Sequence, residues 1–160
     1  MPLSLSSPDF ADNGPIPPRF TCEGEDVSPA LEWDAVPPGT KSLALVVDDP
    51  DAPDPARPQR VWVHWLLYNL PSTTTSLPQA VTTGEHLPGG TRVGKNDWGK
   101  AAYNGPCPPI GRHRYFFKLH ALNADLADLK QPTKAELERA MAGHVLATAT
   151  LIGTYEKRKR

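Results

Sequence analysis

One acid, two histidines and one tyrosine occupy the positions in this sequence that are best suited to chemistry. Asp49 ends a row of alternate apolar residues, and His64, His113 and Tyr115 lie in the apolar rows of two later segments. Residues two apart on a strand share a face, and a buried polar group is costly unless it is paired. If these rows meet at one sheet end, they form a concave site for ligand binding or acid–base chemistry. Taken singly, each residue is also compatible with a hydrogen-bonded core position.

Two proline-rich loops adjoin these residues. Residues 48–55 read DDPDAPDP, where the alternate prolines fix φ, remove N–H donors and hold Asp51 in a rigid acidic cluster. A cis X–Pro bond is compatible with such a loop. Residues 105–115 read GPCPPIGRHRY, where Gly105 permits a close approach of the backbone to a ligand. The alternative interpretation is an acidic surface turn and a proline-rich hairpin loop.

The elements that position these residues are predicted to be short and mostly extended. Eighteen of the 19 prolines precede residue 110, which excludes long helices there. Strand composition marks residues 30–33, 42–48, 61–69 and 113–122, and alternation predicts a final strand at 145–155. The same alternation places His64 on one face with Trp62, Leu66 and Tyr68. Antiparallel or mixed sheets fit this spacing better than regular βαβ units.

One helix is indicated, near residues 133–143. Thr133 and Glu136 form a capping-box pair ahead of apolar residues at helical spacing, and Gly143 helps to end the helix. We also expect one or two helical turns over residues 123–129.

Length and charge narrow the function classes. With 160 residues, 39% of them hydrophobic, the chain is expected to form a single domain over residues 1–160. The net charge of −1 argues against nucleic acid as a partner, and no apolar stretch is long enough for insertion into a membrane. The basic run at 157–160 is interpreted as a solvated tail. Because the N-terminal segment lacks the features of a secretory signal, we expect a cytoplasmic protein.

Two further observations concern reactivity. In a reducing cytosol Cys22 and Cys107 are expected to be free thiols, although the two could form one disulfide. The sequence contains no nucleophile elbow, phosphate loop or zinc motif. We therefore expect a binding protein and not an enzyme, and we expect it to hold no metal and no cofactor. A hydrolase that uses the Asp, His and Tyr residues, or a protein-interaction scaffold, is the alternative.

We expect Trp98 to pack in the core. Exposure of this residue would favour a scaffold, and a place beside the pocket would favour ligand binding.

The two loops resemble the signatures of the phosphatidylethanolamine-binding proteins, also called Raf-kinase-inhibitor-like proteins. Residues 49–53 (DPDAP), followed by residues 64–65 (HW) and 69–71 (NLP), resemble the first signature, and residues 105–115 resemble the second. Residues 19–22 (RFTC), 28–29 (SP), 31–33 (LEW) and 143–146 (GHVL) resemble the bacterial and archaeal branch of the YbhB/YbcL type. The resemblance covers nearly the whole chain.

The resemblance implies a mainly β fold, with a two-sheet β-sandwich core, few short helices and a small pocket for phosphate, phosphorylated ligands or phospholipid head groups. It also implies a regulatory, kinase-inhibitor-like role towards an unidentified protein partner, and a homodimer. The ligand-binding residues carried over from the family are Asp49, Asp51, His64, Gly105, His113 and Tyr115.

In such a pocket, protonated His64 or His113, the Tyr115 hydroxyl and peptide N–H groups would donate hydrogen bonds to phosphate. Asp49 and Asp51 would fix the histidines or accept the ammonium group of a zwitterion. If an imidazolium is required, phosphate affinity should fall as the pH rises through about 6 to 7.

Overall fold

Nine strands and one α-helix make up the part of the chain that the computed structural model describes, residues 2–81 and 87–158. A single turn of 3-10 helix, Pro18–Phe20, lies between the second and third strands. All five predicted strands are confirmed, and the one that begins at Ser42 continues beyond its predicted end. The elements are β1 (Ser4–Ser6), β2 (Gly14–Pro15), β3 (Leu31–Asp34), β4 (Ser42–Ala52), β5 (Arg60–Pro71), β6 (Ser76–Leu77), β7 (Arg92–Val93), β8 (His113–Leu122), α1 (Lys134–Met141) and β9 (Val145–Tyr155).

The strands form two sheets that enclose the main hydrophobic core. The smaller sheet has the order β1-β3-β6, and the larger has the order β2-β9-β8-β4-β5-β7. In the larger sheet β4, β5, β8 and β9 pair antiparallel, and only the short β2 pairs parallel to its neighbour among the described strands. Leu5 and Trp33 of the smaller sheet pack in one apolar cluster with Leu45, Leu67 and Phe117 of the larger sheet. The predicted mainly β, two-sheet fold is therefore confirmed.

Helix α1 covers the opposite face of the larger sheet and closes a second, smaller core. Leu137 and Met141 are buried there against apolar side chains of β4 and β5. The predicted capping box begins the helix, because Thr133 Oγ1 accepts from the Glu136 N–H while the Glu136 carboxylate accepts from the Thr133 N–H. The chain leaves the helix through Gly143, at a φ of 82° that favours glycine. The helix prediction is confirmed.

The predicted helical turns at 123–129 are wrong: this segment has no helical residues. Its backbone groups are bonded to side chains of β5 instead. The Asn69 amide donates to the Leu126 carbonyl and accepts from the Leu126 N–H, both at 2.8 Å, and the Tyr68 hydroxyl accepts from the Leu129 N–H. Because those long-range bonds satisfy the backbone, the segment gains little from intrahelical bonds.

A β-bulge in β5 changes which residues accompany His64. The pairing between β4 and β5 shifts by one residue at this point and leaves His64 without a partner opposite. A bulge of this kind turns the residues that follow to the other face of the sheet. Trp62 and His64 consequently lie on the pocket side, whereas Leu66 and Tyr68 pack under α1. The prediction that all four share one face is wrong.

Candidate functional site

A cavity of about 390 Å³ lies where β4 ends and where β5 and β8 begin. These three ends meet because β4 runs antiparallel to both of its neighbours. Of the six residues that the sequence analysis assigns to a site, four line this cavity, namely Asp49, His64, His113 and Tyr115. The remaining lining residues are Ala52, Pro53, Arg60, Trp62, Trp98, Cys107, Pro108 and Pro109.

Asp49 and His113 form a buried pair on one side of the cavity. The Asp49 carboxylate lies 2.5 Å from His113 Nδ1, and the two side chains are only 4% and 1% exposed. The other ring nitrogen of His113, Nε2, lies 2.9 Å from the Ile110 carbonyl and 3.1 Å from the Pro53 carbonyl. A carbonyl only accepts, so Nε2 carries a proton and donates it there. Both nitrogens of His113 are therefore engaged by the protein itself.

Burial raises the pKa of Asp49, an effect that its hydrogen bonds from His113 and from the Asp51 N–H partly oppose. The second oxygen of the carboxylate accepts that Asp51 N–H at 2.7 Å. Each carboxylate oxygen of Asp49 thus accepts one hydrogen bond from inside the protein.

His64 lies on β5, the strand next to that of Asp49, and uses its two ring nitrogens differently. Its Nδ1 lies 2.7 Å from the Asn104 carbonyl, which requires a proton on Nδ1. Burial lowers the pKa of His64 to about 4, so the ring is neutral at neutral pH. The Gly105 backbone also contacts the ring, and this contact raises the pKa and so acts through a carbonyl. A carbonyl cannot donate, so in this tautomer Nε2 is an acceptor to which no described N–H or O–H group donates. His64 therefore presents an acceptor to a ligand, where the sequence analysis expects a donor.

Tyr115 supplies the donor that the imidazoles lack. Its side chain is 1% exposed and lines the cavity, yet its hydroxyl has no hydrogen-bond partner. Burial raises the pKa of Tyr115 well above its usual value, and the nearby carboxylate of Asp49 adds to this effect, so the phenol stays protonated. The ring meets that of His64 edge to face, at 5.1 Å between ring centroids. A buried hydroxyl without a partner is unusual in a folded protein and calls for a ligand or a water molecule.

Asp51 is the first candidate that the structure does not place in the cavity. Its carboxylate accepts from Nε and Nη2 of Arg114, at 3.0 and 2.9 Å, and from the Arg114 backbone N–H. The bidentate hydrogen bonds to Arg114 lower the pKa of Asp51. This ion pair joins the loop after β4 to the start of β8, next to the residues that line the cavity.

Gly105 is the second candidate site residue that does not line the cavity. It instead contacts other parts of the protein. A side chain at this position would meet the Phe20 carbonyl at 2.0 Å, and the Gly105 N–H donates to the Asp26 carboxylate at 2.8 Å. The close approach that glycine permits is thus made to the protein's own chain. The Tyr103 hydroxyl donates to the same Phe20 carbonyl at 2.7 Å. These contacts fix the loop that carries Cys107.

Cys22 and Cys107 form a disulfide, which is the alternative to two free thiols that the sequence leaves open. The Cys22 N–H also donates to the Pro106 carbonyl, so a backbone hydrogen bond joins the same two segments as the disulfide does. Cys22 is exposed and Cys107 lines the cavity, so the bond ties one pocket wall to the N-terminal part of the chain. The Ala52–Pro53 peptide in the opposite loop is cis, as the proline pattern allowed.

Two lining residues, Arg60 and Trp98, are missing from the residues that the sequence analysis assigns to the site. Arg60 extends the alternation of His64 and Trp62 towards the start of β5, so its position could have been inferred from that row. Trp98 is 40% exposed and contacts Trp62 and His64, so the expectation that it packs in the core is wrong. Its place beside the pocket favours ligand binding over a scaffold.

Within 2–81 and 87–158 there is no group of three or more side chains that could hold a metal ion. None of the helices in these ranges is long and apolar enough to cross a membrane. Of the basic run at 157–160, Lys157 and Arg158 follow β9, whereas Lys159 and Arg160 lie outside the described residues.

Comparisons with known proteins agree with this fold. Residues 6–156 match the family described as phosphatidylethanolamine-binding protein. A UPF0098 protein of Methanothermobacter thermautotrophicus is 47% identical over 97% of this chain and 99% of its own length. Among solved structures, a putative phosphatidylethanolamine-binding protein homologue from Chlamydia trachomatis is 40% identical, with a TM-score of 0.88 over 98% of each chain. YbcL of Escherichia coli, described as a new member of the mammalian PEBP family, is 33% identical, with a TM-score of 0.89 over 99% of this chain and all of its own. The chain therefore belongs to the phosphatidylethanolamine-binding protein family, among its bacterial and archaeal members.

Proposed function

We propose that this protein is a small binding protein whose pocket takes a phosphate monoester as its monoanion. Family membership supports a small binding protein. The observation that carries the ligand class is the Tyr115 hydroxyl, which is buried in the cavity with no partner. An anionic oxygen is the strongest acceptor that such a donor can meet, because hydrogen bonds to ionised acceptors are about twice as strong as neutral ones.

The protonation state of the ligand follows from His64. A neutral His64 that donates through Nδ1 offers only an acceptor, Nε2, to the cavity. A phosphate monoester with a second pKa near 6 carries a P–OH group when it is a monoanion, and this group would donate to His64 Nε2. The dianion has only acceptors and would leave Nε2 unsatisfied. The pocket therefore favours the monoanion over the dianion.

The charges around the pocket also favour an anion. Arg60 lies at the pocket wall, is exposed and forms no ion pair with another described residue. Asp49 would repel an anion, but its hydrogen bond from His113 compensates part of its charge and its pKa is raised by burial. The proposal thus revises the expectation of a protonated imidazole, because His64 is neutral and both nitrogens of His113 are engaged.

The experiment is calorimetric titration of methyl phosphate and methyl sulfate at pH 5 and pH 8. We expect methyl phosphate to bind about tenfold more weakly at pH 8, where the ligand has lost its P–OH proton. Methyl sulfate has no proton to lose over this range, so its weaker binding should not change. If an imidazolium were responsible, the affinity of both ligands would fall as the pH rises.

Two tyrosine variants provide the matched control. Tyr115→Phe removes the donor in the cavity, and we expect methyl phosphate affinity to fall at least tenfold. Tyr103→Phe removes a buried hydroxyl that bonds only the protein, so the affinity should remain close to that of the wild type. Failure of the wild type to bind methyl phosphate at either pH, or full affinity in Tyr115→Phe, would reject the proposal. Release of inorganic phosphate during the titration would instead favour the hydrolase.

Several finer expectations of the sequence analysis stay predictions. These are the phospholipid head group as a natural ligand, a regulatory role towards a protein partner, the homodimer, the cytoplasmic location and the absence of nucleic acid among the partners. Disulfides persist mainly in oxidising compartments, so the Cys22–Cys107 bond argues against the predicted cytoplasmic location. Measuring the location of the protein in its cell would test that prediction.

A further inference from the structure

Trp98 lines the pocket, but it is not one of the residues that we expect to bind the phosphate. A cavity of about 390 Å³ falls within the range of about 300–1,000 Å³ that is typical of small-molecule sites, and a single phosphate fills only part of it. The polar groups that can bind phosphate lie on His64, Tyr115 and Arg60, whereas five of the other nine lining residues are tryptophan or proline. The pocket is thus built for a ligand with a second, apolar part.

The loop that carries Trp98 is held in place by hydrogen bonds within the protein. The buried Asn96 side chain accepts from the backbone N–H groups of Trp98 and Lys100, at 3.0 and 3.1 Å, and donates to the Ala102 carbonyl at 2.8 Å. The neighbouring Asp97 accepts from a backbone N–H of β5 at 2.7 Å and donates its own N–H to a carbonyl of the same strand. The loop is therefore anchored to the strand that carries His64, which lowers the entropy cost of ordering an aromatic contact.

The rings beside Trp98 leave part of the indole free. Trp62 meets it edge to face, with centroids 5.5 Å apart, and His64 does so at 5.0 Å. With these two contacts made, the residue is still 40% exposed. A tryptophan that is held rigidly and left partly open beside a cavity is the kind of residue that dominates binding energies when it is covered.

Charge distinguishes the two kinds of group that an indole binds well, cations and flat aromatic rings. A cation is attracted to the face of an indole, but a positive side chain nearby opposes its binding. Asp49 lies opposite Trp62 in the sheet, but its carboxylate is paired with His113. Arg60 is the charged side chain in the row of Trp62, and it forms no ion pair with another described residue. Arg60 repels a cation there but can stack with an aromatic ring.

We infer that the ligand is a phosphate monoester whose other part is a planar aromatic group, and that Trp98 selects this group by stacking. The inference rests on the proposed function, because the phosphate must first bind beside Tyr115 and His64. It names Trp98 as a specificity-determining residue, and it distinguishes the ligand from a zwitterionic head group such as phosphoethanolamine.

The test compares phenyl phosphate, methyl phosphate and phosphoethanolamine by calorimetry at about pH 5.5, where phosphate monoesters are mainly monoanions. Stacking of an aromatic ring is worth about 1–3 kcal/mol, so phenyl phosphate should bind at least five- to tenfold more tightly than methyl phosphate. Phosphoethanolamine should show no such gain. Trp98→Ala should bring the ratio of the phenyl and methyl affinities close to one, and Trp98→Phe should keep part of it.

The control is Leu146→Ala, which truncates a similarly exposed apolar residue on β9 that does not line the cavity. It should keep the wild-type ratio. If the ratio stays high in Trp98→Ala, or if phosphoethanolamine matches phenyl phosphate, the inference about Trp98 is wrong while the phosphate site stands. If neither methyl nor phenyl phosphate binds to the wild type, the proposed function fails and this inference fails with it.

Discussion

Two sets of residues that line the pocket use the same residue types in opposite ways. In one set, which we term the paired wall (Asp49, His113 and Cys107), the polar or reactive groups bond to other parts of the protein. In the other, the unpaired wall (His64, Tyr115 and Trp98), a ring nitrogen, a hydroxyl and part of an indole are left without partners. A buried imidazole is therefore no sign of a ligand contact by itself. The paired wall should matter most for stability, and the unpaired wall most for binding.

Removing one partner of the paired wall should have the largest effect on stability. Asp49→Ala leaves His113 Nδ1 buried without a partner, and loss of one member of a buried ion pair costs about 3–5 kcal/mol. We expect the free energy of unfolding, measured by urea titration, to fall by about this amount. Asp49→Asn is the matched variant, because its amide can donate to Nδ1 of a neutral imidazole while Nε2 continues to donate to the Pro53 and Ile110 carbonyls.

Asp49→Asn should therefore cost much less, about 1 kcal/mol, which is typical of one altered hydrogen bond. If both variants lose the same free energy of unfolding, the charge of the carboxylate stabilises the paired wall and its hydrogen bond to His113 does not. No loss in either variant would remove the distinction between the two walls.

The second largest effect is a dependence of stability on pH that arises from His64. Its pKa is about 4 in the folded protein and about 6.5 when it is exposed, so the unfolded chain binds more protons between these values. The free energy of unfolding should thus fall by about 3 kcal/mol from this residue as the pH drops from about 6.5 to 4. His64→Asn keeps a donor for the Asn104 carbonyl and cannot titrate, so it should lose this part of the pH dependence.

Urea titrations at pH 7 and pH 4.5 measure this difference. Burial also lowers the pKa of His120, but that residue is present in both proteins and cancels in the comparison. His144→Asn alters an exposed histidine and should keep the wild-type difference. The same pH dependence in His64→Asn as in the wild type would show that His64 is not the buried neutral acceptor that the phosphate site requires.

The strands and the helix could be predicted from the sequence because their signals are local. Alternation predicts β8 and β9, and the Thr133–Glu136 pair predicts the start of α1, since each depends on residues only a few positions apart. The errors depend on distant partners. Residues 123–129 do not form helical turns because the Asn69 side chain bonds their backbone from another strand. The faces of β5 were misassigned because a bulge depends on register with β4, which one segment alone does not determine.

The candidate site shows the same division between residue position and residue role. Alternation is sufficient to place Asp49, His64, His113 and Tyr115 on inward faces at one sheet end, and all four line the cavity. It cannot tell which polar groups find partners, because the Pro53, Ile110 and Asn104 carbonyls that decide the histidine tautomers come from loops. The disulfide depends likewise on the meeting of segments 85 residues apart.

The smallest expected effect is on the free energy of unfolding of two variants, each of which removes the hydroxyl of a buried tyrosine. One of these hydroxyls has a hydrogen-bond partner and the other has none, so the two variants compare a paired group directly with an unpaired one. The Tyr103 hydroxyl donates to the Phe20 carbonyl, so Tyr103→Phe should lower the free energy of unfolding by about 1 kcal/mol. The Tyr115 hydroxyl has no partner, so in the absence of ligand Tyr115→Phe should leave stability unchanged or raise it by up to about 1 kcal/mol. Urea titration of the two variants beside the wild type measures both changes. An equal loss in both would place a protein group or a fixed water molecule on the Tyr115 hydroxyl, and the pocket would then have no free donor for an anion. Opposite signs would show that the hydroxyl is kept at a cost to stability, which is expected of a group whose partner is a ligand.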